Sequence, residues 1–209
     1  MTQTDVLRIF FGLLAVIVVL AICFAILLYV FQSIGLFVIS RRRKLGTSAF
    51  AWIPILNWIK FGQIADDAIM NKSGRKTYFK ALFPVFYLVG VILMSVGSTI
   101  ISMSLGSSSE LAALIQSQNY DALARLFEQL VYSDGFIIAI VLCVVGYFLT
   151  LVAYVIQYYC LYHIYKSCSR KYIVFFVLSL LFSFLYPFFL FAVRRTDNPQ
   201  WYQIQTETD

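Results

Sequence analysis

The chain has 209 residues, of which 61% are apolar, 18% aromatic and only 12% charged, with a net charge of +6 and a mean hydropathy of +0.84. Soluble domains carry roughly 45–50% apolar and about 25% charged residues. The composition therefore excludes a water-soluble fold, a disordered chain, a collagen and a disulfide scaffold, and points to an all-α integral membrane protein.

A helical span needs about 20 predominantly apolar residues. The first such run, 9–40, holds no ionisable acid or base and is longer than a bilayer requires, so it predicts a tilted or projecting helix. Apolar sequence continues well past Leu20-Ala21-Ile22-Cys23, and a signal peptide would have an apolar core of only about 7–15 residues. The run reads as an uncleaved span.

Arg41-Arg42-Arg43-Lys44 then opens a segment of mixed character, 41–80. Within it, 51–59 is too short to span, and Pro54 stops a helix from running through. A helix is expected from Ile55 onward. Asn57, Lys60, Ile64 and Asp67 share one stripe, with Trp58, Ile59, Gly62, Ala65 and Ile69 on the other. Flanked by Trp52 and Trp58, this suits a helix lying at the cytoplasmic interface, with the tryptophans as anchors and the polar stripe facing outward. Trp52, Pro54, Asn57, Trp58, Lys60, Asp66 and Asp67 form the candidate interaction surface. Adjacent carboxylates on a helix diverge by about 100°, so Asp66 and Asp67 make a poor site for one cation.

The second span is expected over 81–105 and the third over 135–162. Between them, 106–134 reads as an outer helical loop: Ser107 and Glu110 form a capping-box pattern, and Leu123, Leu126, Phe127, Leu130 and Val131 follow helical spacing. Polar character in the spans is read as Ser95, Ser98, Thr99, Ser102, Thr150 and Gln157. Gly146, Thr150, Ala153 and Gln157 share one stripe of the third span, a candidate helix-packing seam. Tyr147, Tyr154, Tyr158, Tyr159, Tyr162 and Tyr165 crowd its far half as an aromatic belt. His163 lies between Cys160 and Cys168, a spacing that offers three ligands and matches no metal motif. The four cysteines are scattered and give no disulfide framework.

A fourth apolar run, 173–193, is interrupted by Pro187. Twenty-one residues suffice to cross, so the expectation is a full span, with a re-entrant hairpin as the alternative. The tail 194–209 is polar. The segment 41–80 holds nine Lys and Arg, whereas 106–134 holds only Arg125. The positive-inside rule puts 41–80 in the cytoplasm, with 106–134 and the N-terminus outside. A full fourth crossing leaves Arg194-Arg195 outside, against that rule.

The stretch Ala51-Trp52-Ile53-Pro54, Asn57, and Gly62 with Ile64-Ala65-Asp66 resembles a segment in a family of uncharacterised bacterial membrane proteins common in Gram-positive, Clostridia-like genomes. The closing blocks around Tyr159-Cys160-Leu161-Tyr162 and Pro187–Arg194 are similar to the same family. Ser48-Ala49-Phe50 and Asp67 depart from its pattern. The resemblance implies a multi-pass bacterial membrane protein with no assigned activity.

The chain thus reads as a single membrane domain of four helices in the bacterial cytoplasmic membrane. No Asp, Glu, Lys, Arg or His falls centrally in a span, and no Ser/His pair, paired-carboxylate site, HExxH or phosphate loop occurs. A non-catalytic protein is expected, without cofactor, metal or nucleic-acid partner. It would act through contacts with the lipid bilayer, a membrane-protein partner or its own copies. The alternative is a small oligomeric transporter or channel for an uncharged or lipid-like solute.

Overall fold

The computed structural model describes residues 3–104 and 133–196, with isolated positions between them. The expected helices of the 106–134 loop and the tail beyond Thr196 lie outside the described residues. The chain runs α1 (Gln3–Arg42), a 3-10 turn (Ser48–Trp52), α2 (Pro54–Ser73), α3 (Phe79–Ser104), α4 (Asp134–Cys168), α5 (Tyr172–Leu181), a second 3-10 turn (Ser183–Leu185) and α6 (Tyr186–Val193). The described elements are all helical. Three helices, α1, α3 and α4, are long and apolar enough to cross a membrane.

The expected fourth span is not one helix. The run 173–193 is divided into α5, of 10 residues, and α6, of 8. At about 1.5 Å per residue neither reaches across a hydrocarbon core of about 30 Å. The break falls at Phe182, where φ −126° and ψ 81° leave helical geometry. Pro187 is not its cause. It sits in the first turn of α6, where a missing N–H costs nothing because that group is unbonded anyway.

The described residues form two compact units, one from within 1–81 and 158–209 and the other from within 82–157. In the first, α5 folds back along the end of α4. Tyr162 meets Tyr172 and Phe176, the Tyr165 hydroxyl meets the Ser179 hydroxyl at 3.0 Å, and those of Tyr158 and Ser183 meet at 2.9 Å. After the turn, α6 runs parallel to α1. Phe24 pairs with Phe184, and Phe31 packs on Phe188 and Phe191. The Arg42 guanidinium donates to the Arg194 carbonyl at 3.4 Å. Both ends of the α5–α6 hairpin therefore lie at the Arg42 end of α1. Gly35 makes this approach possible, since a Cβ there would stand 2.9 Å from the Leu190 carbonyl carbon.

The first half of α1 is different. Its side chains from Ile9 to Leu27 are exposed, and its most apolar window contains no buried residue.

α2 begins at Pro54, which occupies the tolerated first position, and ends on Gly74 in the left-handed region at φ 64°. It does not lie flat beneath α1. The 3-10 turn and the start of α2 run alongside α1 to Tyr29 and Gln32. Ten residues separate Gln32 from Arg42, about 15 Å of helix.

In the second unit α3 and α4 pair antiparallel through small residues. A Cβ on Gly90 would meet Thr150 and the Gly146 carbonyl, and one on Gly97 would meet Cys143 and the Ala139 carbonyl, all below 3.0 Å. Larger residues at these positions would hold the backbones apart.

Candidate functional site

The stretch after α1 leaves α-helical geometry and frees backbone carbonyls from helical partners. In an apolar setting each such group must find a donor within the protein. Three side chains supply them. Asn57 Nδ2 donates to the Ala51 carbonyl at 2.7 Å, the Tyr29 hydroxyl to the Trp52 carbonyl at 2.7 Å, and Lys60 Nζ to the Leu45 carbonyl.

Asn57 is the centre of this arrangement. Its amide also donates to the Ser33 hydroxyl at 3.2 Å, and its Oδ1 accepts from Gln32 Nε2 at 2.9 Å. Gln32 Oε1 in turn accepts from the Tyr186 hydroxyl at 2.9 Å. One amide pair thus ties α1, α2 and α6 together. Lys60 also donates to Gln63 Oε1 at 2.8 Å. Burial pushes its ammonium below the ordinary lysine value, because the charged form loses more hydration.

These positions reverse part of the expected surface. Asn57 and Lys60 are 1% and 2% exposed, so the polar stripe faces inward rather than toward cytoplasm. The physical reason is the adjacent turn, whose carbonyls need those donors. Trp52, at 45%, and Pro54 are exposed, and Trp58 is half-buried.

The two neighbouring acids point to different helices. The Asp66 carboxylate accepts from the Thr77 hydroxyl at 2.6 Å and from the backbone N–H groups of Phe79 and Lys80 at 2.9 and 3.0 Å. It caps the start of α3, where helix N–H groups and the helix dipole favour an anion. Gly62 admits that contact, since a Cβ there would lie 2.6 Å from Lys80 Cα. Asp67 instead accepts from Arg43 Nη1 at 3.1 Å and Asn71 Nδ2 at 3.3 Å. Arg43 also donates to the Ile64 carbonyl and to Ser167 and Cys168. It locks the ends of α1 and α4 to α2.

Of the expected packing stripe, Gly146 and Thr150 stand against Gly90, Ala153 is buried and Gln157 half-buried. The hydroxyl of Thr150 bonds the Gly146 carbonyl of its own helix at 2.8 Å. The sequence reading passed over Tyr29, Gln32, Ser33, Arg43 and Tyr186. Gln32-Ser33 was the available signal, a polar pair inside an otherwise apolar run.

All but Arg8 and Arg125 of the sixteen Lys and Arg fall within 41–80 and 166–195, against Asp66 and Asp67 alone. The nearby Lys166 of α4, with burial, holds the Lys72 ammonium of α2 below its ordinary range, because neighbouring positive charge disfavours full protonation. Lys166 Nζ also donates to the Tyr162 hydroxyl at 3.2 Å and lies 5.3 and 5.4 Å from the ring centres of Tyr162 and Tyr172. Among the described residues, the one buried side-chain nitrogen or oxygen without a hydrogen-bond partner is Nδ1 of His163, whose ring packs on Tyr159 and Tyr162. Comparison with protein-family models, with curated proteins and with solved structures finds no match to this chain.

Proposed function

We propose that the chain is a non-catalytic protein of the bacterial cytoplasmic membrane that acts through contacts with a protein or lipid. The observation that carries this reading is how its buried polar groups are used. Ser33, Ser40, Asn57, Lys60, Ser167 and Ser179, the buried polar residues described, all bond to other parts of the chain. They hold turns and helices together, leaving the outer surface as the working part.

The first half of α1 is the foremost such surface, being apolar all round and uncovered by the other described residues. The solute-transporter reading is carried less far. Ser98, Thr99 and Ser102 of α3, like Thr150, bond to carbonyls of their own helices.

Three crossings with a returning α5–α6 hairpin also suit the charge distribution. Arg194 and Arg195 then share the side of Arg41–Lys44, and the positive-inside rule has no exception in this region. The N-terminus lies outside and the C-terminus in the cytoplasm.

A photo-crosslinking residue placed singly at Val16, Leu20 or Phe24 tests the contact role in native membranes. Discrete protein adducts from at least one position would assign a protein partner to α1, adducts with lipid alone from all three would leave lipid as its only contact, and absence of adducts from all three would contradict the contact role.

A further inference from the structure

We propose that the turn 45–55 is a re-entrant segment whose outer side chains contact lipid acyl chains, in the leaflet on the Arg41–Lys44 side. Its depth follows from α1. Arg41 and Arg42 close that helix and are exposed. The turn and the start of α2 meet Tyr29 and Gln32, which lie 13 and 10 residues before Arg42. At about 1.5 Å per residue, that is about 15–20 Å from the charged end. One leaflet of a hydrocarbon core of about 30 Å is about 15 Å thick. With Arg41 and Arg42 at the headgroups, the turn lies among acyl chains.

The chemistry of the segment agrees with that depth. No ionisable residue occurs from Leu45 to Ile59. A loop in water leaves carbonyls to the solvent, whereas in an apolar setting the chain itself must supply the donors. Here the chain supplies them. The Leu45 carbonyl accepts from Lys60 and the Gly46 carbonyl from the Ser48 hydroxyl. Those of Thr47, Phe50 and Ile53 accept from the N–H groups of Phe50, Ile53 and Asn57. Ala51 and Trp52 are served by the side chains of Asn57 and Tyr29. What the turn leaves exposed from Ala49 to Ile55 is apolar or aromatic, Phe50, Trp52, Ile53 and Ile55 above all.

Acyl chains fit this surface better than a protein does. Helix contacts within a membrane favour small residues that let backbones approach and polar groups that bond across the contact. The turn offers protruding rings and branched chains, with its carbonyls already bonded within the chain. The α5–α6 hairpin repeats the pattern at the same level. The Tyr186 hydroxyl also reaches Gln32, and the neighbouring Leu181, Phe182 and Phe184 are exposed. Trp52 thus stands deeper than an anchor at the headgroups. The proposal rests on the reading that α1 crosses the membrane, and is independent of what the first half of α1 contacts.

Trp58→Phe with Trp201→Phe leaves Trp52 as the sole tryptophan of the full-length protein. Its fluorescence is read in phosphatidylcholine vesicles whose acyl chains carry bromine near either the ester end or the methyl end. Bromine quenches an indole only at contact. The methyl-end lipid should quench Trp52 roughly twofold more strongly, because the two bromines sit at opposite ends of a leaflet about 15 Å thick. Iodide in the water should have little effect. Stronger quenching by the ester-end lipid or by iodide would put the turn at the interface or in water and overturn the proposal. Quenching by neither lipid would assign the surface to a protein and overturn it equally. Flotation of the same vesicles separates two failures. Protein that floats but fails at Trp52 loses the re-entrant turn alone, whereas protein that does not float contradicts the crossing of α1 and the proposal with it. If Trp58→Phe unfolds the protein, a spin label at Ile53→Cys in a cysteine-free background gives the same reading. Oxygen should then relax the label more than a water-soluble nickel chelate, and the reverse order would overturn the turn's depth.

Discussion

Asn57 shows how a residue that looks like surface in sequence becomes structural. Its amide makes three hydrogen bonds in the interior, to Ala51, Ser33 and Gln32. Helical periodicity placed it correctly on a stripe with Lys60 and Asp67. Periodicity does not say which stripe faces inward, because that depends on the unpaired carbonyls of the preceding turn. Asn57→Ala should leave the Ala51 carbonyl and the Gln32 amide without their partner, at about 1–3 kcal/mol for each buried group orphaned. The expected result is a clear fall in the thermal midpoint of the purified protein, whereas Trp52→Ala, at an exposed ring, should lower it less. Equal midpoints for Asn57→Ala and wild type would remove Asn57 from the centre of the fold.

At the scale of elements, the long helices were legible and the hairpin was not. Runs of apolar residues marked α1, α3 and α4, and Pro54 marked the start of α2. The run 173–193 satisfied the same length rule, yet it breaks at 182–185. A continuous apolar sequence cannot distinguish a crossing from two arms that both face apolar surroundings. The distinguishing marks were Ser179, Ser183 and Tyr186, whose hydroxyls pair with Tyr165, Tyr158 and Gln32. Without the fold, those partners are invisible.

The α1–α6 contact is the joint on which the hairpin depends, and Gly35 tests it. A Cβ at that position would lie 2.9–3.1 Å from the backbone of Leu190 and Phe191, neither of which can yield without moving α6. Gly35→Ala should cost about 1–3 kcal/mol, the usual range for overpacking. Gly12→Ala provides the contrast, since nothing lies within 4 Å of a Cβ there, and it should be neutral or slightly stabilising through helix propensity. Thermal unfolding of both variants in the same detergent checks the difference. A harmless Gly35→Ala would mean that α6 does not pack against α1 this closely.

For the whole molecule, charge and topology belong together. The sequence already showed Arg194-Arg195 conflicting with a four-span arrangement, and the hairpin removes the conflict by returning the chain to the end where Arg42 lies. Composition points to the class of protein, and the Lys/Arg contrast between 41–80 and 106–134 is the basis of the proposed orientation. Neither specified how many times the chain crosses, because crossing number turns on side-chain pairings between segments far apart in sequence. The central claim is three crossings plus a returning hairpin. Single cysteines at Ser73, Ser108 and Thr196, in a cysteine-free background, test it most directly with a membrane-impermeant maleimide on intact cells. Ser108→Cys should label at once, while Ser73→Cys and Thr196→Cys should label only after the membrane is opened. Labelling of Thr196→Cys on intact cells, with Ser73→Cys still protected, would restore a fourth crossing and contradict the hairpin.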